Sequence, residues 1–154
     1  MNIETKKIIE TWLAAVEDFA NNKNLVRFFA KTYGAIQEVE NALPETHETG
    51  KEYIEQALVG FKVAASSAKL AGYDYYFDKN EYENELSPET CDHMDKVLLF
   101  GKGRASVENT IFMAAYKMLS LAVELKIINN VDAQSRTDKI KTAMNDRKAQ
   151  LGLT

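Results

Sequence analysis

The segment from Ala105 to Ile128 constrains the fold more than any other part of the sequence. Its polar residues are few, and all but the last form one narrow line along a helix: Thr110, Lys117, Ser120, Glu124 and Lys126. Every other position from Ile111 onward is apolar. A helix with so thin a polar stripe is buried on most sides. We therefore expect it to be the central helix of a bundle or to lie at a subunit interface.

The rest of the chain also has helical spacing, because apolar residues recur at steps of three and four. A first helix should end near Ala20, a second should run from about Val26 to Pro44, a third should begin near Gly50, and the last should cover roughly Asp132 to Gln150. No alternating pattern of useful length predicts a strand. The sequence predicts an all-α protein, with residues 1–154 forming a single helical domain. Five or six helices should make a compact bundle around the central buried helix at about 105–128.

Small residues line one side of the third helix. The line contains Ala57, Gly60, Ala64, Ser67 and Ala71. Such residues let a neighbouring helix approach closely, and a slot for a flat ligand is the alternative. Since nothing nearby supplies a ligand atom, we expect close helix packing and no cofactor.

Composition and charge favour a cytoplasmic protein. Lys117, Glu124 and Lys126 interrupt the longest apolar run, which argues against a membrane span. The opening residues MNIETKKIIETW contain two glutamates and do not resemble a signal peptide. The single cysteine, Cys91, fits a reducing compartment.

The stretch DYYFDKNEYENE, residues 74–85, is dense in acids and aromatics. A calcium loop starting at Asp74 would place Lys79 where an EF-hand needs glycine, so a metal is not expected there. Tyrosine is enriched at interfaces because it offers a large contact area and a polar tip. We therefore predict a partner-binding surface in this region, formed by Tyr75, Asp78, Glu81, Tyr82, Glu83 and Glu85. Its charge favours a basic partner.

The residues most suggestive of chemistry form no convincing site. Cys91 and His93 are two positions apart and point in different directions on a helix. A zinc site needs more ligands at suitable spacing, and only His47 remains. Ser87 and Pro88 instead predict a helix start at this point. We expect no catalytic residues and no metal, and an enzyme is the less favoured interpretation.

These observations favour a non-enzymatic protein-binding or assembly module that forms a homo-oligomer. In general style only, the small size and the acidic, tyrosine-bearing surface resemble phage or mobile-element accessory proteins, and no residue role follows from that. A small helical enzyme or metal-binding protein is a further alternative.

Nucleic-acid binding is the first alternative, because the second half of the chain is basic. From Lys96 onward there are ten Lys and Arg against five acids, a local charge of +5. Cations along one side of a helix can meet phosphates. The candidate contacts are Lys102, Arg104, Arg136, Lys139, Lys141, Arg147 and Lys148. Lys102 and Arg104 each follow a glycine in the segment from Gly101 to Arg104. An ordinary turn is favoured there over a loop that binds an anion.

Overall fold

A computed structural model describes residues 3–44, 48–70, 87–100 and 107–152. Within these ranges the chain forms six helices and no strand, which confirms the predicted all-α bundle. The helices are α1 (Ile3–Asn22), α2 (Leu25–Ala42), α3 (Glu48–Leu70), α4 (Pro88–Phe100), α5 (Val107–Glu124) and α6 (Asn130–Gln150). In the part of the chain so described, no helix is long and apolar enough to cross a membrane.

One hydrophobic cluster contains residues from all six helices. Its largest fully buried side chains are aromatic. Phe19 stacks on Phe28 with ring centroids 4.5 Å apart, and Phe29 meets Phe61 edge-on at 4.8 Å. The indole N–H of Trp12 donates a hydrogen bond to Thr32 Oγ1 at 3.0 Å, so its polar atom is satisfied inside the core. Aromatic packing therefore joins α1, α2 and α3.

Helix α3 runs antiparallel to α5 at close range. A β-carbon added to Gly60 would lie 3.4 Å from Thr110 Cγ2, and Lys117 Nζ lies 5.3 Å from the ring centroid of Tyr53. Seven residues separate the two contacts on each helix, in opposite chain directions, which fixes the register of the pair. The expected close approach of a neighbouring helix is confirmed at Gly60, and that helix is α5.

Side-chain caps explain the starts of α4 and α6. Ser87 Oγ accepts a hydrogen bond from the Thr90 N–H at 3.2 Å and caps α4, whose first residue is Pro88, as predicted. Asn129 caps α6 in the same way through the Asp132 N–H at 2.8 Å. Helix α3 begins at Glu48, two residues before the expected start near Gly50.

The long apolar helix ends earlier than predicted. We expected it to reach Ile128, but α5 stops at Glu124. Lys126 has a φ of 60°, and the Ile127 N–H donates to the Ala122 carbonyl at 2.9 Å. This is the Schellman arrangement that terminates a helix through a left-handed residue. Glycine usually occupies that position, and a lysine there gives no warning in the sequence.

Candidate functional site

Part of the predicted binding surfaces lies outside the described residues. This holds for the whole acidic, tyrosine-bearing set: Tyr75, Asp78, Glu81, Tyr82, Glu83 and Glu85. It also holds for Lys102, Arg104 and His47. These predictions stay predictions.

A buried carboxylate joins α2, α4 and α6. Asp95, on α4, has no exposed surface. It accepts hydrogen bonds from the backbone N–H groups of Leu25 (3.0 Å) and Val26 (2.8 Å), at the first turn of α2. Arg147 Nε, from α6, donates to the same carboxylate at 2.6 Å. Asp95 therefore caps one helix and anchors another.

Arg147 is held by a second acid at the edge of this cluster. Its Nη2 donates to Asp92 Oδ1 at 2.8 Å, and Asp92 is half exposed. Burial raises the pKa of Asp95, while the charge of Arg147 and the hydrogen bonds to the carboxylate oppose that rise. Burial alone would lower the pKa of Arg147, but Asp95 and Asp92 raise it instead. The guanidinium therefore stays protonated and balances the buried carboxylate.

Cys91 lies one helical turn before Asp95, inside the same region. Its thiol is buried and receives a hydrogen bond from Asn24 Nδ2 at 3.4 Å. Burial raises the pKa of the Cys91 thiol, which makes it a poor nucleophile at neutral pH. His93 is exposed on the same helix. Among the described residues no group of three or more His, Cys, Asp or Glu could hold a metal ion.

Four of the five described candidate cations for nucleic-acid binding form ion pairs within the fold. Arg136 and Lys139 both reach Glu17 on α1, at 3.5 and 2.8 Å. Lys148 pairs with Glu108, and Arg147 is buried against Asp95. In the ranges given above, Lys141 is exposed and has no ion-pair partner. Most of the charge on α6 is therefore used to dock that helix.

A groove of about 730 Å³ lies along α6 beside the end of α1, and both polar and apolar groups line it. Its charged residues are engaged: Asp138 accepts from Gln134 at 3.0 Å, Lys139 donates to Glu17, and Asp146 lies 4.0 Å from Lys23. The groove does not bring together groups typical of catalysis.

Large apolar side chains are exposed on the outer face of the α3–α5 pair. Val59 is 62% exposed, Met113 57% and Tyr116 59%. The buried apolar residues of α5 are on the opposite side: Ile111, Ala114, Ala115, Met118, Leu119, Leu121 and Ala122. Met113 and Tyr116 therefore point away from the core, as Val59 does on α3. We call the surface formed by Glu52, Val59, Met113, Tyr116 and Lys117 the α3–α5 face.

The polar line of α5 faces solvent only in part. Glu124 is exposed and Ser120 half-buried, but Thr110 is buried against Gly60 and Lys117 is half-buried beside Tyr53. The solvent-facing line instead contains Asn109, Met113, Tyr116 and Ser120, at steps of four, three and four. This spacing is present in the sequence, with the polar residues Asn109 and Ser120 at its two ends. Because Met113 and Tyr116 between them are apolar, the line does not show up as a polar stripe.

The chain matches no protein-family model, and no curated protein or solved structure is significantly similar to it.

Proposed function

We propose that this protein is a non-enzymatic protein-binding or assembly module and that its described binding surface is the α3–α5 face. The observation that carries the proposal is the exposure of Val59, Met113 and Tyr116 on adjacent helices in fixed register. Large apolar residues grouped on one face are characteristic of interaction sites. Tyrosine and methionine are both enriched in the buried centres of protein interfaces.

The charges around these side chains suit an interface as well. Glu52 has no cationic partner and Lys117 no acidic one within the described part of the chain. Lys117 instead lies over the rings of Tyr53 and Tyr116, at 5.3 and 5.7 Å. Its charge is thereby held in place on the face. Polar groups at the rim of an apolar patch give specificity to a docked partner.

A serine double variant tests the proposal. Replacing Met113 and Tyr116 by serine removes the apolar centre of the α3–α5 face without touching the core. The matched control is Val131→Ser, because Val131 is 77% exposed on α6, away from this face. We expect the double variant to lose self-association in sedimentation velocity and specific capture of partner proteins, while the control keeps both. Equal behaviour of the two variants would contradict the proposal.

The acidic, tyrosine-bearing segment is proposed as a second part of the binding surface. Tyr82→Ala and lysine substitutions at Glu81, Glu83 and Glu85 should then reduce capture of a basic partner. An unchanged set of partners would remove this segment from the proposal.

Nucleic-acid binding ranks behind protein binding, because four of the five described candidate cations are engaged within the fold. A titration against short DNA and RNA at two salt concentrations separates the two functions. Binding that weakens with salt and disappears in a Lys139→Ala, Lys141→Ala variant would reverse this order.

A further inference from the structure

The α3–α5 face has a charge pattern that complements itself. Glu52 lies next to Tyr53, and Tyr53 lies opposite Lys117 on the other helix. The acid and the cation are therefore at nearly the same level, one on α3 and one on α5. Val59 precedes Gly60, which lies opposite Thr110, and Met113 is one turn beyond Thr110. Val59 and Met113 therefore also lie at nearly the same level along the helix axes, less than one helical turn apart.

We infer that the occupant of the α3–α5 face is a second copy of this chain, related by a twofold axis parallel to the two helices. Such an axis keeps each residue at its level along the helices and exchanges the two sides of the face, so that α3 of one copy lies alongside α5 of the other. Glu52 then lies beside the second copy's Lys117, and Val59 beside the second copy's Met113. Each contact occurs twice, as an isologous interface requires.

This inference rests on the proposed function of the same face and names its partner. A second copy fits better than an unrelated basic protein because the face carries both halves of the pairing. A uniformly basic partner would place positive charge beside Lys117, whereas a second copy places its Glu52 there. Tyr116, next to Lys117, adds apolar area between the two ion pairs.

Charge reversal tests the arrangement. Lys117→Glu makes both sides of the face acidic, and Glu52→Lys makes both sides basic. We expect each single variant to raise the dimer dissociation constant by roughly tenfold or more, because like charges then oppose each other twice. Lys141→Glu is the matched control, since it makes the same charge change on the exposed side of α6. It should leave the dissociation constant as in the wild type.

Mixing the two variants gives the decisive outcome. In a heterodimer the acidic face meets the basic face, so both ion pairs form again in reversed or original polarity. We expect the mixture to dimerise about as tightly as the wild type and native mass spectrometry, with one variant isotopically labelled, to show mainly heterodimer. Circular dichroism of each variant checks that the monomers are folded.

Three results would overturn the inference: a monomeric wild type at all concentrations, single variants with wild-type affinity, or a mixture without recovery. None of them alone removes the proposed function. The proposed function fails only when the Met113→Ser, Tyr116→Ser variant behaves like Val131→Ser in both self-association and capture of other proteins.

Discussion

Removing the charge of Arg147 should be among the most destabilising single changes on α6. In Arg147→Met the side chain keeps a similar length, but Asp95 loses its counter-charge and the 2.6 Å hydrogen bond. The carboxylate has no exposed surface and keeps only two backbone donors, Leu25 and Val26. Removing one partner of a buried ion pair costs about 3–5 kcal/mol. We expect that loss in the free energy of unfolding.

The matched control is the same substitution about three turns earlier on the same helix. Arg136 pairs with Glu17 at 3.5 Å, and both side chains are partly exposed. Ion pairs of this kind contribute about 0–1 kcal/mol. Arg136→Met should therefore cost much less than Arg147→Met, although both remove one positive charge from α6.

Urea unfolding measures both variants with two probes. Circular dichroism follows the helices, and fluorescence follows the only tryptophan, Trp12, which is buried in the core. A double variant with Asp95→Leu and Arg147→Met should recover part of the loss, because no uncompensated charge is left inside. Equal costs for Arg136→Met and Arg147→Met would refute the argument that the buried pair holds α4 and α6 together.

Three further changes test other parts of the fold. Gly34 lies inside α2 and a β-carbon there would meet nothing within 4 Å, so Gly34→Ala should raise the free energy of unfolding by about 0.5–1 kcal/mol in urea titrations. At Gly60 an alanine β-carbon makes ordinary contact with Thr110 and should be tolerated, whereas Gly60→Leu should lose about 1–3 kcal/mol by overpacking in the same assay. Equal stability of the two Gly60 variants would contradict the close approach. The buried Cys91 thiol has a raised pKa, so it should react with Ellman's reagent at pH 8 far more slowly in the folded protein than in urea, and fast reaction of the folded chain would contradict its burial.

The helices could be predicted from sequence because their signals are local. Ser87 and Pro88 mark the start of α4, and the periodic spacing of apolar residues marks α1 and α2. The close packing at Gly60 followed from the same kind of local pattern, since small residues on one line predict a close neighbour. These features need only the residues within a few turns.

The buried ion pair could not be predicted in this way. Asp95 and Arg147 are separated by 52 positions, and the sequence shows each only as one charge in a charged segment. Arg147 looked like part of a basic helix face, yet it is the buried residue that docks α6. A pairing of this kind depends on how the helices cross, which no local spacing encodes.

The α3–α5 face could be predicted only in part. The apolar pattern placed the long helix at the centre of the bundle or at a subunit interface, without dividing its apolar residues between the two. The physical rule runs in one direction only, because folded proteins expose much apolar surface. A helical-wheel projection of α5 places the two residues opposite Ile111 and Met118, and that opposition was available before the structure.

Hydroxyl-radical footprinting at increasing protein concentration tests the central claim most directly. In the isolated chain Met113 and Tyr116 are exposed, whereas Met118 and Met144 are buried. The account predicts that labelling of Met113 and Tyr116 falls as the protein assembles, while exposed Val131 keeps its labelling and the buried methionines stay protected throughout. Assembly without protection of Met113 and Tyr116, or constant labelling and no assembly at any concentration, would contradict self-association through the α3–α5 face.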